Sequence, residues 1–411
     1  MATIRPFRAE RPSSDKAAVV SSVPYDVVSV DEARQLAAGN PLSFLHVSRA
    51  EIDLANGTDV YSDVVYAKAA ENYAKLRANA PLSTEDKPSI YIYQLKMGTH
   101  IQSGIACCCS LDEYENDTIR KHERTRKDKE DDRTRHMVTI GAQTGPVFLT
   151  YKGRDSINDA VNRVKSQNPL CEFTAADGVS HTIWKAADSD AAAIVEEFNS
   201  VPLLYIADGH HRAASAGRAR TQLKQANPNH NGSEDYNYFL TVLFPADQVQ
   251  ILAYNRVVKD LNGMSVNEFV EALAAKFEIN PAVEATPTRK GEICMYLNGR
   301  WRSLTLPPAV TATVDPIKSL DVSRLQDRIL DELLGIKDIR TDKRVDFVGG
   351  IRGTGTLEEM VNDGRFSVAF SMYPVTVEEL MAIADANQIM PPKSTWFEPK
   401  LRDGLLSHLI A

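Results

Sequence analysis

No stretch of this sequence approaches the roughly 18 to 20 consecutive apolar residues that span a bilayer. The first twenty residues, MATIRPFRAERPSSDKAAVV, lack the apolar core of a signal peptide. The expectation is a cytoplasmic protein with no membrane partner. A basic excess is missing too: 47 Lys and Arg stand against 55 Asp and Glu, a formal charge of −8. That argues against a general nucleic-acid partner, though not against a local basic groove. Cysteine is scarce, and three of the five residues, Cys107, Cys108 and Cys109, are consecutive. Such neighbours do not readily bridge each other and match no zinc pattern. The run GIACCCSL reads instead as a buried strand of reduced thiols acting as small apolar residues. Internal repeats, low-complexity segments and a clear helix-turn-helix are absent as well.

What remains has an ordinary globular composition, 43% hydrophobic and 25% charged. A chain of 411 residues implies two or three domains. The expected divisions are an N-terminal α/β region over 1–150 with a charged lid segment, a region over 151–262, and a C-terminal α/β region over 263–411. The pattern of elements is α+β or mixed α/β.

The chain is organised around VPLLYIADGHHRAASA, Val201–Ala216. Leu203–Ala207 reads as a buried strand, and the segment from Arg212 onward favours helix. Between them Asp208 is a good N-cap type and Gly209 permits a tight turn or close backbone approach. A helix start offers unpaired N–H groups and partial positive charge. Arg212 adds a planar fork, and His210 and His211 can donate hydrogen bonds or move protons. Together these predict an anion site, most naturally for phosphate. A plain helix cap with incidental histidines, or a metal site with Asp208 as third ligand, would use the same residues.

Earlier in the chain, Val30–Ala38 is a predicted helix started at Ser29, and Ser62–Ala78 another. Phe44–Val47 reads as a strand. Arg49 and Glu51 would follow its end, where α/β folds place site residues, or form a solvated ion pair. Ile90–Leu95 and His100–Leu111 read as a hairpin. The stretch Ile119–His136 is the most charged. Its bland reading is a solvated helix with pairs such as Glu123–Lys127 and Asp131–Arg135. It has no apolar face, however, so a lid over a phosphate-bearing ligand fits it as well. Lys121, Arg124 and Thr125 would then hold phosphate, and His122 and Glu123 would move protons. Acidic interruptions and the lack of aromatics weigh against a nucleic-acid patch.

Further on, Ile251–Val258 reads as a strand carrying Arg256, which needs a ligand or a buried carboxylate as partner. Ile293–Leu297, Asn298-Gly299 and Trp301–Leu306 make a hairpin signal. Asp321–Leu334 is a predicted helix. Gly349–Gly355, before a capping-box pattern at Thr356, is a weak second phosphate cradle or a plain loop. Met390–Lys400 is Pro-rich and aromatic. Its Lys393, Ser394 and Thr395 could donate to a substrate or dock on the core.

IADGHHRAASA resembles the phosphate-binding motif of the ParB/sulfiredoxin superfamily, a short Gly-(X)-(His/Arg)-Arg signature between strand and helix. That superfamily includes CTP-binding partitioning proteins, sulfiredoxin and kinases of free serine. Over most of its length the chain also resembles an uncharacterised bacterial and archaeal family that shares IADGHHR, a KHERT-type segment and PPKSTWFEPK. The superfamily resemblance implies a ParB/sulfiredoxin-like portion around the DGHHR turn with additional α/β elements. It implies phosphoryl transfer or phosphate release on a small molecule, serine or O-phosphoserine, with an adenine nucleotide (ATP or ADP) and Mg²⁺. Asp208–Arg212 would hold phosphates, Glu123 or Glu51 would exchange the hydroxyl proton, and His210 or His211 would assist. Arg49, Arg256 and Lys393–Thr395 would meet the amino acid or phosphate ester. A nucleotide-dependent, ParB-like DNA-binding protein is the alternative, and a phosphodiesterase would need metal ligands that the sequence does not assemble. A homo-oligomer stays open.

Overall fold

A nine-stranded mixed sheet organises the first of two units in the computed structural model, which describes residues 1–79, 82–282, 284–308 and 315–410. The first unit is Met1–Val249 with Pro399–Ala411, and the second is Gln250–Glu398. The chain therefore divides at other places than 150 and 262, because strands on both sides of residue 150 hydrogen-bond into one sheet. The fold is mixed α/β.

The sheet strands are β1 (Ile4–Arg5), β2 (Tyr91–Met97), β3 (His100–Ser110), β4 (Ile119–Arg120), β5 (Val147–Tyr151), β6 (Cys171–Thr174), β7 (Ser180–Lys185), β8 (Leu204–Asp208) and β9 (Tyr238–Pro245). Their order is β4-β8-β5-β9-β3-β2-β7-β6, with β1 paired to β3. The β4–β8 and β5–β9 pairs are parallel and the rest antiparallel. The helices around it include α1 (Asp63–Asn79), α2 (Lys127–Ile140), α3 (Asp155–Lys165), α4 (Asp188–Phe198) and α5 (His210–Ala226). The core holds Ile105, Cys107, Leu149, Ile206 and Leu243 of the sheet with Ala213, Ala216 and Ala219 of α5. Small alanines on that face let α5 lie close to the sheet. The three consecutive cysteines are buried and unbridged, as the apolar reading of GIACCCSL requires.

The final residues belong to this unit. Ser407–Leu409 pairs with Ala9–Arg11 on one side and Ala142–Gln143 on the other. Leu401, Leu405, Leu406 and Ile410 are buried.

Several sequence expectations change. Phe44–Val47 is not a strand: Leu45–Ser48 is a helix, followed by a 3₁₀ turn at Ala50–Asp53 that carries Glu51. A short apolar run does not distinguish the two, and here Phe44 and Val47 pack with Val65, Ala69 and Tyr73 of α1. The charged stretch is not one solvated helix. It is β4, a loop over 121–126, and α2. Glu123 lies outside the helix, so it has no i,i+4 register with Lys127. Asp131 pairs with Arg218 and Arg135 with Asp63. The polar face of α2 is packed inward: Tyr66 donates to Asp132 at 2.9 Å, and His136 Nε2 donates to the Val47 carbonyl at 2.9 Å.

The second unit is a six-stranded antiparallel sheet, in the order Glu278–Pro281, Arg300–Thr305, Glu292–Leu297, Val368–Met372, Tyr254–Val258, Val345–Gly349. Asn298 and Gly299 both take positive φ (50° and 73°), as the hairpin turn predicted there demands. The predicted strand Ile251–Val258 breaks into Gln250–Leu252 and Tyr254–Val258, where the Ala253 carbonyl accepts from Gly350 N–H at 2.7 Å. Asp321–Leu334 is an α-turn followed by a π-helix over Gln326–Asp331. Thr356 does not cap a helix; it lies inside Gly353–Asn362 and donates to the Arg352 carbonyl.

Candidate functional site

Parallel pairing of β4 with β8 brings the two motif loops together. Leu204 pairs with Ile119 and Tyr205 with Arg120, so the 121–126 loop and the 208–212 turn leave the same end of the sheet. Pro146, just before β5, lies at that end too, because Phe148 opposes Asp208.

Gly209 makes the turn, with φ 93° and ψ 29°. A Cβ there would sit 3.0 Å from Arg212 Nε, so both backbone and space call for glycine. Gly209, not Asp208, is the N-cap of α5, and no side chain caps the helix. Asp208 faces inward instead. Its Oδ1 accepts from Gly209 N–H at 2.9 Å and its Oδ2 from Lys400 Nζ at 3.2 Å. Arg212 Nη2 is 3.5 Å from the same Oδ2. Burial opposes its charge, but Lys400 and Arg212 outweigh burial and hold the carboxyl well below the usual range.

The sequence reading gave Arg212 a phosphate fork. In the fold Arg212 is 4% exposed, with Nη1 donating to the Pro146 carbonyl and Nη2 directed at Asp208. Nε alone is buried without a hydrogen-bond partner. Burial works against its charge, and Asp26, Asp208 and Asp403 together keep it fully cationic. Arg212 is a buried positive centre at the turn rather than an exposed fork.

His122 and His210 are both buried. His122 N–H donates to His210 Nε2 at 3.5 Å, and the rings cross edge to face with centroids 4.4 Å apart. An accepting Nε2 leaves the proton of neutral His210 on Nδ1, 3.8 Å from Glu123 Oε2. His122 is hydrogen-bonded to the Ile206 backbone, and its Nδ1 is buried with no partner. Burial pushes His122 down to about 4, and burial plus His122 pushes His210 down as well. Both are neutral near pH 7. His211 Nε2 accepts from Arg126 N–H at 3.1 Å, which ties the start of α2 to the start of α5.

The other expected residues are placed as follows. Glu123 and Arg124 are exposed beside this cluster. Lys121 pairs with Asp117 at 2.7 Å and lies over the Tyr114 ring, and Thr125 donates to Glu130. Glu51 is buried and its carboxylate lies 3.1 Å from Arg49, an ion pair that is buried rather than solvated. Arg256, Lys393, Ser394 and Thr395 belong to the second unit. Arg256 is buried and finds carbonyls, those of Tyr254 and Lys393, not a carboxylate. Burial lowers it to about 10. Ser394 donates to the Pro391 carbonyl at 2.6 Å. Gly349 and Gly350 press on the Trp396 ring and the Ala253 backbone, so close packing accounts for two glycines of the expected cradle.

Three residues at the site were not singled out from sequence: Asp26, Lys400 and Asp403. Asp26 is exposed in a 3₁₀ turn and acts electrostatically on His211, Arg212 and Asp403. Lys400 and Asp403 arrive with the last segment of the chain. The available signal was charge density, since KLRDG places three ionised residues within five, between apolar ones. Among the described residues no three His, Cys, Asp or Glu side chains are grouped to hold a metal ion.

Solved structures to which the chain is similar include a free serine kinase in complex with AMP, 15% identical with a TM-score of 0.34, over 74% of this chain and 91% of that one. A conserved hypothetical protein from Pyrococcus furiosus is 15% identical with a TM-score of 0.34, over 74% and 95%. SbnI from Staphylococcus aureus, with a C-terminal truncation, is 12% identical with a TM-score of 0.35, over 74% and 87%. No curated protein matches the sequence. A family model matches residues 4–323 across both motif loops, and the chain belongs to that family, the proteins of unknown function DUF1015.

Proposed function

We propose that the protein is a small-molecule phosphotransferase that uses an adenine nucleotide, with serine or O-phosphoserine as the substrate that its DGHHR motif suggests. One observation carries the reading. The N-terminus of the 17-residue helix α5 is uncapped by any side chain and is reached through a left-handed glycine. The N–H groups of its first turn have no helical partner and carry partial positive charge, which suits phosphate oxygens. Arg212, buried directly behind the turn, adds a full positive charge at low dielectric.

Around that anion site, neutral His122 offers its unpartnered Nδ1 as an acceptor. The exposed Arg124 and Arg126 can cover charge that develops on the transferred phosphoryl group. Mg²⁺ enters with the nucleotide, bound chiefly through phosphate oxygens. The acceptor's hydroxyl proton passes to a carboxylate at the site.

A phosphate balance tests this. Purified protein with Mg²⁺ receives O-phosphoserine alone, O-phosphoserine with ADP, or serine with ATP. ATP formed from ADP, or O-phosphoserine formed from serine, is the expected result. Phosphate released without nucleotide would make the protein a phosphatase. No turnover, together with ADP binding unchanged in Arg212→Ala, would remove the reading.

A further inference from the structure

Arg402 lies two residues after Lys400 but serves another place in the first unit. It is 5% exposed. Its Nε donates to His181 Nε2 at 3.1 Å, and its Nη2 donates to Asp177. His181 is itself buried, and burial above all, with the charge of Arg402 second, holds it at about 3. It is therefore a neutral acceptor at Nε2, and its Nδ1–H donates to the Tyr93 hydroxyl oxygen at 2.8 Å. The backbone is fixed as well. Asp403, the next residue, exchanges two backbone hydrogen bonds with Ser22, at 3.0 Å and 3.2 Å. The guanidinium is thus held in one orientation. Among the described residues its Nη1 has no hydrogen-bond partner.

Arg402 lines a cavity of about 220 Å³ whose walls are mostly apolar, with Val23, Leu36 and Leu45 among them. Leu36, on the helix Val30–Ala37, is 54% exposed and marks the mouth. The polar side chains of the wall bond to nearby backbone. Asn40 donates to the Val19 carbonyl at 2.8 Å and accepts from Leu42 N–H at 3.2 Å. Ser22 donates to the Val23 carbonyl at 3.2 Å, and Ser43 accepts from Leu45 N–H at 3.3 Å. Asp177, the carboxylate that balances Arg402, is half-exposed, so solvent screens it. The cavity therefore offers one directed cationic donor within apolar walls. A few placed polar groups in an apolar hollow is the usual form of a small-molecule site, and this one is smaller than most. A cation would be repelled there, and a neutral apolar guest would leave Nη1 unpaired. A carboxylate head on a short aliphatic body satisfies both the donor and the walls.

We propose that this cavity binds a small organic monocarboxylate, its head on Arg402 Nη1 and its aliphatic body against Val23, Leu36 and Leu45. The site uses none of the residues of the DGHHR turn, and it stands whether or not the phosphotransferase reading does.

Butyrate is the probe, titrated into the full-length protein and followed by calorimetry and by saturation-transfer NMR. Butylamine and butanol are the size-matched controls. Butyrate should saturate with a Kd of about 1 mM, an affinity within reach of a fragment of this size, and neither control should. Arg402→Gln should abolish saturation. Leu36→Asp places a negative charge at the exposed mouth, leaves the core intact and should weaken butyrate by about tenfold, whereas Leu36→Lys should not weaken it. This pair serves as the independent test if Arg402→Gln does not fold. Absence of saturation by butyrate, equal binding of butylamine, or equal butyrate affinity in Leu36→Asp and Leu36→Lys overturns the proposal.

Discussion

His122 and His210 meet through one backbone hydrogen bond: the N–H of the first donates to Nε2 of the second at 3.5 Å, with the rings crossed at 86°. One histidine leaves β4 and the other begins α5, so the contact ties two loops that are 88 residues apart. It also fixes the His210 tautomer, while burial keeps both rings neutral.

Burial of imidazoles makes the first unit acid-sensitive. His122 and His136 are held at about 4 and His181 at about 3, in each case mainly by burial. The unfolded chain takes up these protons near pH 6.5, before the folded one does, so stability falls as pH drops from 6.5 towards 4. Asp403 works the other way. Its folded value near 7 lies above the unfolded one, so its contribution is present below about 4 and is lost as pH rises through 7. With His210 and His211 also held down, the imidazoles outnumber the one carboxyl, so net stability falls as pH drops from about 6.5 to about 5. Urea unfolding curves at pH 6.5 and 5.5 measure this, and coincident midpoints would show that the imidazoles are not held neutral.

Gly209→Ala tests the turn. A left-handed backbone costs a residue with a Cβ about 1–2 kcal/mol, and the new methyl group would press on the Arg212 guanidinium. Denaturant melts should show that loss, and ADP affinity should fall by about tenfold, equivalent to ~1.4 kcal/mol. An alanine variant that binds ADP normally would place the anion site elsewhere.

Lys400→Met removes the ammonium that offsets Asp208. Its half-buried partner keeps the Gly209 N–H and Arg212 but loses its ammonium, so the folded state is destabilised. The variant should unfold at lower urea than Lys393→Met, whose ammonium lies over the Tyr254 ring in the second unit. Equal midpoints for the two variants would deny Lys400 its structural part.

Thiol reactivity offers a quick check of the core. All five cysteines are buried and unbridged. Burial pushes the thiols of Cys108 and Cys109 far up, Cys171 to about 11 and Cys294 to about 12. Native protein should react with a thiol-specific disulfide reagent at less than about a hundredth of the rate seen in urea, since the thiolate is the reactive form. Rapid labelling of one or more thiols in the native state would contradict the burial.

Much of this was legible in the linear order. The hairpin at Asn298-Gly299, the helix start at Ser29, and the strand–glycine–helix of Leu204–Ala226 all follow from local chemistry. Each is a preference of a few neighbouring residues, so sequence alone discloses it. Phe44–Val47 was misjudged because an apolar run of four fits helix and strand equally, and packing against α1 chose between them. The Ile119–His136 stretch read as a solvated helix or a lid because the partners of its helical part lie elsewhere in the chain. Tyr66 and the Val47 carbonyl come from the N-terminal region, and Arg218 from α5.

By itself the sequence determined the DGHHR turn, since a positive-φ glycine before a helix start is a local matter. Only the tertiary structure decided what stands around that turn. Parallel pairing of β4 and β8 set His122 against His210, and pairing of Ser407–Leu409 drew Lys400 and Asp403 back to residues nearly two hundred positions earlier. Contacts of that separation depend on strand register, which no local pattern of residues encodes.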